Sequence, residues 1–377
     1  MKFTCEQDKL QKALSAVSRA IPNRSSLPIT NHILLESTSD AIVISATDAE
    51  TLAITYTVPA NVGEQGSLAL PSRLLTDFVT SLPPDMIDFG QQDESYRAQL
   101  KCVKNKSSIE GLDPGEFPPI PKNSGSTEYK LSAKIFKSAL DKVVFSAASD
   151  DSRPILTGVQ FVIADGQIVL AAADGFRLSV CKIDINAKDS VPSFVVPSRA
   201  LSELSRLLNE LGDDIFSMSL NEQNTQVEFD LGFSRMIAQL LQGTFPNYDQ
   251  LIPDDWKTRI SISTKELIRE TKIASIFARD GSGIIRLSAK SVPDKSGTLV
   301  ITAKADELGT NEGEIDAIIE GDDLQIAFNS RYLMDILQIL ENDRLIIEGS
   351  SSQSPGVIKS SVDDNFIHVV MPMFVQW

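Results

Sequence analysis

The segment VPSRALSELSRLL at residues 196–208 has counterparts in LPSRLLTDFVTSLP at 70–83 and FNSRYLMDILQIL at 328–340. Each begins with a short apolar stretch, continues with Ser-Arg, and then places Leu, Ile or Phe at helical spacing, which predicts an amphipathic helix. The serine before each arginine is expected to cap its helix. These serines are Ser72, Ser198 and Ser330. Because they recur at nearly equal intervals, the pattern predicts three copies of one unit.

Two further families of segments repeat in the same register. Alternating strand patterns occur in AIVISATD (41–48), QIVLAAAD (167–174) and TLVITAKA (298–305). A helical run near the start of each copy contains Leu10, Phe136 and Leu267 at corresponding positions. Three families of segments would not be expected to share one register by chance. We therefore predict a threefold repeat.

Pro-rich stretches mark the joints between the copies, at FPPIP (117–121) and FPNYDQLIP (245–253). Proline disfavours helix and favours extended connections. We therefore predict domains at 1–121, 122–252 and 253–377, each of about 125 residues, an ordinary domain size. Within a copy the order is strand, helix, several strands, helix and further strands. This order predicts an α+β fold, with two helices packed on antiparallel sheet.

The net charge of the 377-residue chain is −16, which by itself argues against nucleic acid or an anionic membrane as partner. The positive charge is nevertheless segregated by repeat position. Residues 7–20, 133–146 and 264–279, which contain the first helix of each copy, each carry a net charge of +2. If these helices face a common axis, their basic surface suits the phosphate backbone of a duplex.

Catalytic constellations are sparse. His32 and His368 both lie in apolar, strand-like contexts, so we interpret them as structural rather than as general bases. Neither a phosphate-binding loop nor a dinucleotide fingerprint occurs. We expect no catalytic residue and no cofactor.

Three isolated cysteines indicate a reducing compartment, and no window is apolar enough to span a membrane, so a cytoplasmic location without membrane attachment is expected. The cysteines are Cys5, Cys102 and Cys181.

Paired aspartates offer an alternative, a metal-dependent nuclease or phosphoesterase. The pairs are Asp150-Asp151, Asp213-Asp214, Asp254-Asp255, Asp322-Asp323 and Asp363-Asp364. Each lies in a turn-like context, where Asp is favoured for its backbone hydrogen bonds, so we expect no metal site. A third possibility is a repeat scaffold that binds proteins only.

The chain resembles the beta-subunit family of bacterial DNA polymerase III, the sliding clamps, along nearly its whole length. The resemblance is carried by MKFT at the start, LPI (27–29), TD (47–48), LPSR (70–73), ADGFRLSV (173–180), VPSR (196–199), FPNY (245–248) and VVMPM (369–373). It implies three tandem clamp domains, and a head-to-tail homodimer that closes into a ring around double-stranded DNA without reading its sequence. The implied role is processivity, with no reaction of its own.

The resemblance also implies contact residues. Those for DNA are Arg24, Arg73, Arg153 and Arg199. At the dimer interface, Ile109 of one subunit would meet Ile276 and Phe277 of the other.

Partner proteins of the family bind through short linear peptides, and the implied partners are DNA polymerases, the clamp loader, mismatch-repair proteins and ligase-type proteins. The implied pocket consists of Leu156, Gly175, Arg177, Leu178, Pro246, Leu251, Val369, Val370, Met371, Pro372 and Met373. Methionine suits a surface that accepts several ligands, because its side chain adapts. On its own, VVMPM would be interpreted as a terminal core strand, and only the resemblance makes it a binding site.

Four features depart from the family pattern. Pro154-Ile155 follows Arg153 where aromatic residues are usual, which puts single-strand contacts there in doubt. Phe176 and Gln250 make the pocket rim more apolar and less cationic than is common. The apolar stretch at 374–377 either lies along the pocket or frays.

Overall fold

The computed structural model describes residues 1–22, 27–91, 96–120, 128–150, 152–186, 190–279, 283–291, 297–305, 309–340 and 344–376. Within these ranges, each of the three copies contributes two helices and a set of antiparallel strands. The predicted α+β class with helices on antiparallel sheet is confirmed.

Among the described residues, the strands and helices follow one order in all three copies, except that the first copy contains one additional short strand, β5. The first copy contains β1 (Lys2–Glu6), α1 (Gln7–Val17), β2 (His32–Ser37), β3 (Ala41–Thr47), β4 (Leu52–Pro59), β5 (Asn61–Glu64), β6 (Ser67–Pro71), α2 (Ser72–Ser81), β7 (Met86–Gln91), β8 (Arg97–Cys102) and β9 (Asn105–Glu110). The second contains β10 (Glu128–Ser132), α3 (Ala133–Val143), β11 (Gly158–Ala164), β12 (Gln167–Ala173), β13 (Arg177–Asp184), β14 (Val191–Pro197), α4 (Ser198–Leu211), β15 (Ile215–Leu220), β16 (Gln226–Asp230) and β17 (Ser234–Gln239). The third contains β18 (Thr258–Ser263), α5 (Thr264–Arg279), β19 (Ile284–Lys290), β20 (Gly297–Ala305), β21 (Gly309–Gly321), β22 (Leu324–Asn329), α6 (Ser330–Leu337), β23 (Arg344–Gly349), β24 (Gly356–Ser360) and β25 (Phe366–Val370).

The chain forms two compact units, and the second copy contributes to both. Unit 1 comprises Met1–Lys137 and Arg199–Leu240. It contains a five-stranded sheet, β5-β1-β7-β8-β9, and an eight-stranded sheet, β10-β15-β16-β17-β4-β3-β2-β6. Helix α1 packs against α2, β3 and β4 through fully buried side chains such as Leu14 and Val17. Each such burial stabilises the fold by about 1.5–3 kcal/mol.

Unit 2 comprises Ser138–Ser198 and Leu241–Trp377. Its twelve strands form the order β14-β11-β12-β13-β25-β24-β23-β18-β21-β20-β19-β22. Helix α5 packs on β19, β20 and β21 and against α6, whose inner face is fully buried at Leu333 and Ile336.

Successive copies are joined by strand pairing. In unit 1, β4 of the first copy pairs with β17 of the second, with Ile54 opposite Met236. In unit 2, β13 of the second copy pairs with β25 of the third, with Ser179 opposite His368. The two seams are equivalent, since both Ile54 and Ser179 lie opposite the repeated alanine of the preceding strand.

The equivalent edges at the two ends of the chain have no such partner within the described residues. Strand β9, the counterpart of β17 and β25, pairs with β8 alone. Strand β21 is the counterpart of β4 and β13. Its first half pairs with β20 alone, and the pairing with β18 is confined to its second half. Unpaired edges of this kind are templates for strand addition.

The predicted serine caps were wrong for α2 and α6. Both helices include the serine as their first residue, and the capping position is occupied by Pro71 in α2 and by Asn329 in α6. The side chain of Asn329 accepts the bond from the backbone N–H of Arg331 at 2.9 Å. The hydroxyl of Ser72 instead lies 3.0 Å from that of Ser18 in α1. Within the described residues, no helix has the length and apolar character needed to cross a membrane.

Candidate functional site

The candidate groove is built on the seam between β13 and β25. Arg177 lies opposite Val370, and Leu178 lies opposite Val369. Just past β25, the N–H of Met371 donates to the carbonyl of Phe176 at 2.8 Å. A further bond of 2.8 Å, from the N–H of Met373 to the carbonyl of Ala327, holds the next residues.

The candidate groove rests on two small apolar clusters. Leu178 and Val369 are buried in one, and Leu156 is buried in the other. Tyr248 and Ala173 pack against both clusters, which places the three predicted floor residues in one continuous apolar region. Val370 and Pro372 are also buried.

The rim is exposed and apolar. Pro246, Leu251 and Met371 are exposed, and Met373 is partly so. Phe176 is also exposed. Phe374 is 80% exposed, so its side chain does not fill the groove, and Trp377 lies outside the described residues. An apolar floor with an exposed apolar rim fits a hydrophobic peptide segment better than a polar metabolite.

Arg177 is a positioning residue, not a free donor at the groove. Its side chain is 8% exposed, and Nε and Nη1 donate to the carboxylates of Asp174 and Asp335 at 3.0 and 2.6 Å. Nη2 donates to the carbonyl of Phe145 at 2.8 Å. The guanidinium also lies 5.2 Å from the ring of Phe145 and 4.7 Å from that of Tyr332. Arg177 therefore fixes the turn before β13 against α6.

Gly175 shapes the same turn. Its φ of +91° lies in the left-handed region that glycine adopts without strain. A Cβ there would stand 2.6 Å from Nη1 of Arg153, whose Nη2 donates to the carbonyl of Asp174 at 2.7 Å. The absence of a side chain at Gly175 therefore leaves room for the guanidinium of Arg153 against the turn.

A buried polar chain lies beneath the seam. The hydroxyl of Ser179 lies 2.8 Å from Nδ1 of His368 and 2.8 Å from the hydroxyl of Ser146. Burial, with a smaller contribution from the charge of Arg177, lowers the pKa of His368 to about 3. The imidazole is therefore neutral and structural at physiological pH.

Because the pKa of His368 is lowered on folding, the unfolded chain binds a proton below about pH 6.5 that the native state does not. We expect this group to reduce the free energy of unfolding by up to about 1.4 kcal/mol per pH unit as pH falls from 6.5 toward 3. Urea unfolding of the wild type and of His368→Asn at pH 4.5, 5.5 and 6.5 measures this effect, and the variant should show the flatter dependence. An equal pH dependence of the free energy of unfolding in the wild type and in His368→Asn would contradict this expectation.

The predicted DNA contacts differ in their surroundings. Arg24 lies outside the described residues. Arg73 is almost fully exposed on α2, 3.9 Å from Asp77. Arg199 is about half exposed, with Nη1 4.0 Å from the carboxylate of Asp48. Arg153 is exposed apart from its bond to the turn.

The predicted interface residues also differ. Ile109 on β9 is only 2% exposed and packs within unit 1, so its side chain offers little surface to a partner. Ile276 on α5 is 57% exposed, and Phe277 beside it is partly exposed. Neither the single apolar residue of β9 nor the helical pattern of α5 could have shown this difference.

The aspartate pairs act in turns and ion pairs where they are described. Asp150 accepts bonds from both the N–H and the hydroxyl of Ser152, and Asp363 binds Lys142 at 2.7 Å. Asp151 lies outside the described residues. In the described part of the chain, no three His, Cys, Asp or Glu residues are grouped to hold a metal ion.

The cysteines do not form a nucleophilic site. All three are buried free thiols, and burial raises the pKa of Cys181 to about 11.

Comparisons with known proteins agree along the whole chain. Family models described as the N-terminal, central and C-terminal domains of the DNA polymerase III beta subunit match residues 1–121, 130–247 and 249–374. A beta sliding clamp of Staphylococcus aureus is 29% identical over 385 residues, covering 99% of both chains. The crystal structure of the Bacillus subtilis DNA polymerase sliding clamp matches with a TM-score of 0.92 and 27% identity, covering both chains fully. The crystal structure of a Pseudomonas aeruginosa sliding clamp bound to griselimycin matches with a TM-score of 0.90 and 26% identity, also over the full length of both chains.

Proposed function

Because the chain belongs to the beta-subunit family of bacterial DNA polymerase III, the sliding clamps, we propose that it closes with a second copy into a ring that encircles duplex DNA. The ring tethers the replicative polymerase and other cytoplasmic partners through the groove at the β13–β25 seam, and the protein performs no reaction itself. The observation that carries this proposal is the pair of unmatched edges, β9 and the first half of β21. A head-to-tail contact between two such edges repeats the internal seams, and a contact of this type forms a ring when the rotation closes.

The register of the intersubunit seam follows from the ladders. Phe89, Leu100 and Ser107 lie in one row of the first copy, as Met218, Phe229 and Met236 do in the second. Ser107 is therefore the counterpart of Met236. By the same comparison Asn311, opposite the repeated Ala303, is the counterpart of Ile54.

Placing Ser107 opposite Asn311 brings Lys106 opposite Glu312 on the exposed face of the sheet. Both side chains are exposed in the single chain. Opposite charges at directly facing positions stabilise antiparallel strands by about 0.2–1 kcal/mol. Charge complementarity thus supports this register.

Charge reversal tests the register. Lys106→Glu alone or Glu312→Lys alone should raise the dimer dissociation constant about 10-fold, because like charges then face each other at both interfaces of the ring. The double variant should restore dimerisation, measured by analytical ultracentrifugation. Failure of the double variant to recover would contradict the register.

The helices support the same contact. Ile276 is the counterpart of Arg19 and Phe145 in the earlier copies. Arg19 lies 3.4 Å from Glu203 of the next copy, and the ring of Phe145 lies 5.4 Å from that of His368, also of the next copy. Ile276 belongs to the third copy, which is the last of the three in the chain, so the equivalent contact would have to come from a second subunit.

Leu74 supplies the complementary surface on the first copy. It is exposed on α2, whereas its counterpart Ala200 is buried and its counterpart Tyr332 packs on Arg177 of the preceding copy. We propose that Leu74 meets Ile276 and Phe277 of the second subunit, and that Ile109 contributes through the backbone of β9.

The proposed DNA contacts are Arg24, Arg73, Arg153 and Arg199, with exposed lysines of the first helices. Helix α5 exposes Lys265 and Lys272. Helix α3 contributes less than its net charge suggests. Its Lys134 and Lys142 bind Asp213 and Asp363 at 3.2 and 2.7 Å. Contacts to phosphate are not sequence-specific and permit sliding.

Primer extension tests the function. The replicative polymerase of the same organism, supplied with its clamp loader and ATP, should make much longer products per binding event when this protein is present. Leu251→Asp, which removes the exposed apolar side chain at the groove, should abolish the gain. Unchanged product lengths with the wild-type protein would refute the proposed function.

A further inference from the structure

The Ser-Arg pair that opens the second helix of each copy places three arginines at equivalent positions, Arg73, Arg199 and Arg331. The first two were expected to contact DNA. Arg331, on α6, has no assigned role. Its surroundings differ from those of Arg199 in a way that bears on ligand binding.

Arg199 is partly held by the preceding copy. Its Nη1 lies 4.0 Å from the carboxylate of Asp48, and its Nη2 lies 3.4 Å from the carbonyls of Arg19 and Ile21. Asp48 accepts bonds from the hydroxyl and the backbone N–H of Thr51, which is uncharged and so supplies no cation that competes with Arg199.

The corresponding acid in the next copy, Asp174, is already occupied. Arg177, which stands where the first copy has Thr51, binds Asp174 and also binds Asp335 one turn after Arg331 on α6. The two carboxylates nearest in sequence pattern to Arg331 thus already bind the same buried guanidinium. In the described part of the chain, the guanidinium of Arg331 makes no hydrogen bond or ion pair, and its side chain is exposed.

Arg331 shares a cavity with Arg153. The cavity has a volume of about 490 Å³ and lies wholly within unit 2. Its third acid, Asp150, is held by the N–H and hydroxyl of Ser152. Two exposed arginines therefore line one cavity in which each of the three carboxylates already accepts a bond.

We infer that Arg331 binds a backbone phosphate of the encircled duplex, with Arg153 lining the same cavity. A guanidinium presents paired donors that match phosphate oxygens. The third copy thereby supplies the same kind of contact as Arg73 and Arg199 in the first two. This inference rests on the proposed function.

The test measures binding of a fluorescent 30-base-pair duplex to the full-length dimer by anisotropy, across a series of salt concentrations. Arg331→Ala should weaken binding about 3- to 10-fold at low salt and reduce the slope of log K against log salt by about one, the value expected when one phosphate is no longer bound. Arg331→Lys should retain most of the affinity. Lys290→Ala, which removes an equal charge at an exposed strand end, should match the wild type.

Binding by Arg331→Ala that equals the wild type in affinity and slope would overturn the inference, as would the absence of measurable wild-type binding at low salt. Retention of the wild type on circular DNA is measured in parallel. If retention is seen, these results overturn only the role of Arg331. If retention is absent, the proposed function itself fails.

Discussion

Replacing Ile276 with aspartate is expected to convert the protein from a dimer into a monomer. The isoleucine side chain is 57% exposed in the single chain, at a position whose counterparts, Arg19 and Phe145, each contact the next copy. Burying a carboxylate there without a partner costs several kcal/mol, and a closed ring contains the contact twice. We expect the dissociation constant to rise at least about 100-fold.

Ile135→Asp provides a matched control for this change. Ile135 is also 57% exposed and also lies on the first helix of its copy. Its counterparts, Lys9 and Glu266, are polar, so this position is not expected to be covered. Sedimentation equilibrium should show a monomer for Ile276→Asp and a dimer for Ile135→Asp. A wild-type dissociation constant for Ile276→Asp would remove the helix contact from the proposed interface.

Replacing Leu251 with aspartate is expected to abolish peptide binding at the groove while leaving the fold intact. Leu251 is 46% exposed at the rim, so its removal leaves no cavity in the core. A carboxylate at this position would be desolvated by an apolar ligand without gaining a partner. We expect the affinity for a synthetic peptide carrying the clamp-binding segment of the replicative polymerase to fall by about 30-fold or more.

The control is Leu27→Asp, which changes the same residue type at 48% exposure in unit 1. Calorimetry should show wild-type affinity for that variant and no measurable binding for Leu251→Asp. Both variants should unfold at the wild-type temperature. Equal peptide affinities for the two variants would place the groove elsewhere.

The repeat is the part of the fold that the sequence predicts best. The alternating segments at 41–48, 167–174 and 298–305 fall on β3, β12 and β20, and the Ser-Arg segments open α2, α4 and α6. The spacing of apolar residues is sufficient to predict these helices and strands, because each buries one face against its own copy. Family membership and the three-domain organisation are confirmed, whereas the predicted borders and site residues stay predictions.

Features that depend on distant parts of the chain could not be predicted in this way. The sequence predicts Arg177 as a residue of the groove. In the structure its side chain is buried and binds Asp335, which belongs to the next copy. Ser72 does not cap α2 because the helix already begins at Ser72, with Pro71 in the capping position, and the Ser72 hydroxyl lies 3.0 Å from that of Ser18 in α1. Neither partner is visible from local sequence, although the repeat register relates Asp335 to Glu203, which also binds an arginine of the preceding copy.

The formal charge of −16, taken alone, argues against a nucleic-acid partner. Its distribution matters more than its sum. Lys134 and Lys142 on α3 each have an acidic partner, and Arg73 and Arg331 are exposed at equivalent helix starts. Exposed cations at repeated positions are the feature on which a sequence-independent phosphate contact depends.

Retention on DNA of different topology tests the central claim, encirclement, most directly. The protein is loaded by its clamp loader onto a nicked circular plasmid, freed from unbound protein by gel filtration in high salt, and then exposed to a single-cutting restriction enzyme. We predict that it stays with the intact circle and dissociates as soon as the circle is linearised, with dissociation prevented when both ends are blocked by bound protein. Equal retention on circular and open linear DNA would contradict the account.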